Sequence, residues 1–176
     1  MNENEPTQFE QAILPHLDAA YNLARWLTGN DQDAQDVAQD AMLRALKFFD
    51  GFRGGNSRAW LLTIVRNTFY NWLEKNRPRE VRAADDEELG AVEDPSVDPA
   101  LLLARSANVA AVRGAIEKLP AEFREIIVLR ELEECSYKEI SDVAGVPIGT
   151  VMSRLARARK QLQEILTQTA EPGDRP

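Results

Sequence analysis

The sequence predicts an all-α protein: two small helical domains joined by a flexible acidic linker, the C-terminal one containing a helix-turn-helix. Three observations carry that prediction. Apolar residues recur at helical spacing along most of the chain, and the alternating pattern of a half-buried strand is absent. Between two such regions the composition turns acidic and proline-punctuated, with little apolar content from residue 78 until Leu101. Near the end, "SYKEISDVAGVPIGTVMSRLARARKQL" (136–162) reads as a short helix, a tight turn and a second, basic helix.

The first helical region covers about 8 to 28, with Phe9, Ile13, Leu17, Tyr21 and Ala24 as its inner face. Pro15 kinks or splits it near the start, because proline lacks the N–H that the helix needs. Gly29 stops it, and Asn30 caps a second helix with Asp31 and Asp33 in the favourable first turn. That helix runs to about Phe49, with Ala34, Val37, Ala41 and Leu46 facing inward. "DGFRGGN" (50–56) is a glycine-rich loop, and Ser57 is the expected cap of a helix from 58 to about 75. The apolar density of "WLLTIVRNTFYNWL" makes this helix central to the first domain.

Residues 78–98 are expected to be a linker, poorly ordered in isolation. Asp98 then caps, and Pro99 opens, a helix to Leu119. Pro120 opens another through about Glu133, with Phe123, Ile126, Ile127 and Leu129 inside. Ser136 and Glu139 form a capping box, "GVP" makes the turn, and the last helix runs from Ile148 to about Thr167. The expected organisation is therefore a first domain at 1–77, a linker at 78–98, a second domain at 99–170 and a disordered tail at 171–176.

With 176 residues, 44% of them hydrophobic and 28% charged, the chain has the composition of a soluble globular protein. No stretch is long enough to span a bilayer, and the polar, acidic start lacks the pattern of a signal peptide. The expectation is a cytoplasmic protein without membrane insertion. One cysteine, Cys135, excludes an intramolecular disulfide and a thiolate cluster. The net charge of -8 hides strong segregation. Residues 148–162 hold Arg154, Arg157, Arg159 and Lys160 without an acid. Residues 51–80 hold Arg53, Arg58, Arg66, Lys75, Arg77 and Arg79 against Glu74 and Glu80, while the excess acid lies in 31–40 and 85–98. A surface attracts by its local field over a Debye length of about 8 to 10 Å, so two basic islands in an acidic chain suit nucleic acid.

In the helix pair, Tyr137, Ile140 and Val143 can pack against Val146, Val151 and Leu155. Thr150, Ser153, Arg154 and Arg157 are then left for the major groove. The plain alternative is a helical hairpin with solvated arginines; turn chemistry and an acid-free basic face occurring together favour DNA. "FRGGNSR" followed by Trp60, Arg66, Asn67 and Asn71 offers what capture of an unstacked strand requires: a pliant loop, aromatic and amide groups, and nearby cations. Core packing is the simpler account of most of Trp60, Phe69 and Trp72.

Asp33, Asp36 and Asp40 fall on one helical face. They do not make a calcium loop, since Asp36 stands where glycine is required and Met42 where the bidentate glutamate belongs. Lone His16 and Cys135 read as structural. No nucleophile–base pair, phosphate-binding loop or metal-ligand spacing is present, so no catalysis, metal or cofactor is expected.

"LPAEFREIIVLRELEECSYKEISDVAGVPIGTVMSRLARARKQL" resembles the C-terminal domain of extracytoplasmic-function (ECF) sigma factors, promoter-recognition subunits of bacterial RNA polymerase. "DAQDVAQDAMLRALKFFDGFRG" and "WLLTIVRNTFYNWLEKNRP" resemble the family's N-terminal domain. The resemblance implies that Thr150, Ser153, Arg154 and Arg157 read the minus-thirty-five element, with Arg159 and Lys160 beside them. Met152 departs from the family, which commonly has arginine or lysine there. It further implies minus-ten contacts from Phe52, Arg53, Gly54, Gly55, Asn56, Trp60, Arg66, Asn67 and Asn71, with Phe52 and Asn67 at a pocket for a flipped base. Asp36, Gln39, Asp40, Leu43 and Arg44 would dock on the clamp coiled coil of the largest subunit of core RNA polymerase. The implied partners are core polymerase, promoter DNA and an anti-sigma protein. Two other readings compete: a stand-alone dimeric helix-turn-helix regulator, and an enzyme that uses the carboxylates of 31–40.

Overall fold

The computed structural model describes residues 5–76 and 109–170, and among these there are only helices, turns and loops. Two compact units divide the chain near residue 80. The expected linker and the helix start at Asp98–Pro99 lie outside the described residues.

The first unit is built from four helices: α1 (Glu5–Ile13), α2 (Leu17–Thr28), α3 (Asp31–Phe48) and α4 (Ser57–Asn76). Pro15 splits the first helical region as its chemistry dictates, leaving a 3-10 turn at Leu14–His16. That turn corrects the expected inner face. Three residues wound at three per turn advance about 60° further than in an α-helix. The inward stripe of α2 therefore falls on Ala20, Leu23, Ala24 and Leu27, while Leu17 stays 37% exposed. Tyr21 is half-buried and its hydroxyl donates to Asp31.

Gly29 ends α2 in the left-handed region at φ 87°, and the Asn30 side chain accepts the Asp33 N–H at 2.8 Å. Along α3, Ala34, Val37, Ala41 and Ala45 are buried. Leu46 is not the inner residue the sequence suggested; it is 57% exposed. Five residues past Ala41 is about 140° off the stripe, whereas Ala45, four residues on, completes it. Small alanines let α3 lie close against α2 and α4, whose Leu61, Leu62, Val65 and Phe69 fill the centre.

One further contact ties this unit together: His16 Nε2 lies 3.2 Å from Ser57 Oγ. Burial, and then the charge of Arg58, hold the His16 pKa below its ordinary value. The folded unit therefore resists protonation that the unfolded chain accepts, so stability falls as pH drops through the unfolded value of 6.5 towards the lower folded one. His16 is the single histidine of the chain. His16→Gln should reduce the loss of unfolding free energy between about pH 7.5 and about pH 5.5. An unchanged loss in denaturant titrations at the two pH values would remove His16 as its source.

The second unit contains α5 (Val109–Lys118), α6 (Ala121–Ile127) with a π turn at Val128–Leu132, α7 (Tyr137–Ala144) and α8 (Ile148–Ala170). Pro120 caps α6 through its carbonyl, and Phe123, Ile126, Ile127, Val128 and Leu129 are buried as α6 and the π turn cross α8. Two residues beyond the π turn Glu134 takes φ 54°, a region that a side chain enters at a strain of about 1 to 2 kcal/mol. Cys135 is fully buried.

Candidate nucleic-acid interface

The helix-turn-helix is assembled by local chemistry. Both halves of the capping box form: the Ser136 N–H donates to Glu139 Oε1 at 3.0 Å, and the Glu139 N–H donates to Ser136 Oγ at 3.1 Å. Gly145 takes φ 69° at the turn, and the Val146 N–H donates back to the Ser141 carbonyl at 3.2 Å. Ile140, Val143, Val151 and Leu155 are buried, while Tyr137 and Val146 are half-buried.

Along α8 the inner stripe is Val151, Leu155, Ala158 and Leu162. Thr150, Ser153, Arg157 and Lys160 are spaced by three, four and three on the opposite side. Thr150 and Arg157 are half-buried, and Met152 and Lys160 are exposed. Two expectations of an open basic face need correction. Arg154 is only 7% exposed, because it stands three residues after Val151 and four before Ala158, on the flank of the stripe. Ser153 is 6% exposed, and its hydroxyl turns back to donate to the Thr150 carbonyl at 3.1 Å. Arg159 is likewise covered and pairs with Glu131 of the π turn at 3.1 Å.

That ion pair was not legible in the sequence. Glu131 and Arg159 are 28 residues apart, and only the widened turn aims the carboxylate at α8. Beside it, the Arg130 guanidinium lies 4.6 Å from the Tyr137 ring centre and donates to the Cys135 carbonyl at 2.9 Å. The two side chains fasten the π turn to both helices of the motif.

In the first unit the glycine-rich loop runs between two anchors. At its start a 3-10 turn, Phe49–Gly51, accepts the Phe52 N–H on the Phe49 carbonyl at 2.9 Å. Phe52, Phe49 and Trp60 form a ring cluster, with centroids 5.8 Å apart for Phe49–Phe52 and 5.2 Å for Phe52–Trp60. At its end Asn56, not Ser57, caps α4: its Oδ1 accepts the Ala59 N–H at 3.0 Å and its carbonyl accepts the Trp60 N–H. Ser57 is instead the first residue of the helix. Between the anchors Arg53, Gly54, Gly55 and Asn56 are exposed, with Gly54 at φ 85° and Gly55 at φ 89°. Two consecutive left-handed residues suit glycine and little else.

Trp60, Asn67 and Asn71 lie seven and four apart, so α4 carries them on one face. Asn67 and Asn71 are exposed. The Arg66 guanidinium lies 4.6 Å from the Tyr70 ring centre, and its Nη1 donates to Asn67 Oδ1 at 3.4 Å. Phe69 is core, as the simpler reading held, and Trp60 and Trp72 are half-buried. Phe49 is absent from the sequence-based set although it sits at the centre of the ring cluster. The density of rings in "KFFDGF" was the available signal.

On α3, Asp36, Gln39, Asp40 and Leu43 share the exposed face, and Leu43 is 68% exposed. Arg44 pairs with Asp40 at 3.4 Å. The same end of the helix exposes Leu46 and Phe48, with Lys47 Nζ 5.4 Å from the Phe48 ring centre. Among the described residues no group of His, Cys, Asp and Glu could hold a metal ion. No described helix is long and apolar enough to cross a membrane.

Comparison with known proteins places both units in one family. Residues 12–79 match the family model of sigma-70 region 2, and residues 110–162 match that of sigma-70 region 4. The ECF RNA polymerase sigma factor SigE of Mycolicibacterium smegmatis is 33% identical over 161 residues, which cover 91% of this chain and 62% of SigE. The ECF sigma factor EcfG of Rhodopseudomonas palustris is 36% identical over 156 residues, covering 88% of this chain and 81% of EcfG. Among solved structures, the sigma factor RpoE in complex with the anti-sigma factor NepR from Bartonella quintana matches with a TM-score of 0.69 and 30% identity. That match covers 96% of this chain and 99% of RpoE. With both sigma regions present in order, and with relatives matched across most of their length, this chain belongs to the ECF sigma factors of RNA polymerase.

Proposed function

We propose that this chain binds core RNA polymerase through the exposed face of α3 and directs it to a restricted set of promoters. Asp36, Gln39, Asp40, Leu43 and Arg44 form the docking surface. The helix-turn-helix takes the minus-thirty-five element, with Thr150, Met152 and Arg157 of α8 at the groove. Ser153 and Arg154 support that helix more than they reach from it. The loop at Phe52–Asn56 and the face of α4 carrying Trp60, Asn67 and Asn71 hold the melted minus-ten strand, with Arg66 alongside. The observation that carries this reading is the loop itself. Two left-handed glycines stand between a ring cluster and a helix cap, and amides continue along one helical face. A duplex-binding regulator has no use for such a strand-holding arrangement. We further assign an anti-sigma protein as a partner, since the RpoE relative was solved with one bound. Its place of action is the cytoplasm, and it performs no catalysis.

The test compares the free protein with its polymerase complex. Non-specific affinity rests on phosphate contacts, and of the four cations of α8 only Arg157 and Lys160 are not buried. The free chain should bind a promoter duplex weakly, and the reconstituted holoenzyme should bind it specifically and initiate run-off transcription. Tight, sequence-specific binding by the free protein would instead support a dimeric regulator.

A further inference from the structure

We propose that Phe9, on the first helix, is a positioning residue for capture of the minus-ten strand. The inference rests on the reading of the Phe52–Asn56 loop given above. The loop's residues 53–56 are exposed, so its course depends on how firmly its two ends are held. The Asn56 end is held by hydrogen bonds within the start of α4. The Phe52 end is held by rings, and Phe49 is the ring that the others share.

Phe49 stacks on Phe52 with an interplanar angle of 24° and meets Trp60 edge-on at 6.2 Å. Both partners belong to the loop or to α4, and both can shift together with it. Phe9 comes from elsewhere in the unit. Its ring meets Phe49 edge-to-face, with centroids 5.3 Å apart and planes at 89°. This arrangement sets the positive edge of one ring against the negative face of the other, so it fixes orientation as well as distance. A 3-10 turn at Leu14–His16 separates α1 from α2, so Phe9 reaches Phe49 from a helix that carries none of the strand-holding residues. The chain of contact is therefore Phe9 to Phe49 to Phe52, from a helix outside the strand-holding surface to its first residue.

The experiment uses holoenzyme reconstituted with the full chain carrying Phe9→Leu, Phe9→Tyr or Phe52→Ala. The probe is a promoter enriched from a randomised library by transcription with the unsubstituted holoenzyme. It is prepared as a duplex and as a fork with the minus-ten strand exposed. Leucine keeps apolar bulk and loses the ring, while tyrosine keeps the ring. Phe9→Leu should bind the fork about two- to tenfold more weakly, the range of an aromatic pair. Its affinities for core polymerase and for an upstream duplex bearing only the minus-thirty-five element should be unchanged. Phe9→Tyr should restore fork binding.

If Phe52→Ala weakens fork binding and Phe9→Leu does not, the positioning role is wrong and the reading of the loop stands. If neither weakens it, the reading of the loop fails and the proposal fails with it. A Phe9→Leu loss shared equally by core polymerase and the upstream duplex, or one that Phe9→Tyr does not restore, would mark a general packing role and overturn the proposal.

Discussion

Leu155→Ala is expected to lower the stability of the second unit by about 2 to 5 kcal/mol, the cost of removing a buried leucine and leaving a cavity. Leu155 is 1% exposed and lies in the middle of the inner stripe of α8, with Val151 before it and Ala158 after it. Ile140 and Val143 belong to a short helix pinned at one end by the capping box and at the other by the Gly145 turn. Denaturant unfolding of the full chain should show the transition of the second unit moving to lower denaturant, with that of the first unit unmoved. Holoenzyme carrying Leu155→Ala should still assemble, because the proposed docking face is on α3, and should lose recognition of the upstream promoter element. An unmoved transition would show that the helix pair is not held by this core. A defect in polymerase assembly would show that docking is not confined to the first unit.

Arg157→Ala in the holoenzyme is expected to weaken promoter binding by about 1 to 3 kcal/mol, roughly five- to 150-fold, if the guanidinium reads a base edge. Arg157 lies between Ser153 and Lys160 on the side of α8 opposite its buried stripe, and it retains partial exposure. Arg159, two residues on, is committed to Glu131 and covered. The family resemblance ranks Arg157 among the readers with Arg159 only beside them, and burial agrees in making Arg157 the one to test first. A phosphate contact gives a different signature, a loss similar across promoter sequences with the salt slope reduced by about one. Binding unchanged in both magnitude and salt slope would remove Arg157 from the interface.

The first unit shows which parts of a fold a sequence states outright. Gly29, Asn30 and Asp33 fix a helix boundary among residues adjacent in the chain, and the structure forms it as read. The capping box of Ser136 and Glu139 is as local and as legible. Pro15 announced a break, but not that the break would be a 3-10 turn that rotates the following stripe and leaves Leu17 outside. Ser57 and Asn56 are both good caps by composition. The choice between them depends on where the loop delivers the chain, and Ser57 meets His16 instead.

By itself the sequence determined the helical class, the two units, the helix-turn-helix and the family, because each rests on periodicity, caps and motifs that act over a few residues. Tertiary structure alone decided which side chains of the interfaces remain available. Arg154 is covered because a helical stripe has width, and residues beside it are buried along with those in it. Glu131 took Arg159 because a π turn redirected a carboxylate towards a helix 28 residues away. Phe9 reached Phe49 because α1 folds back onto the unit. Exposure and long-range partnership depend on how elements pack, and packing joins residues whose separation in the chain carries no local signal.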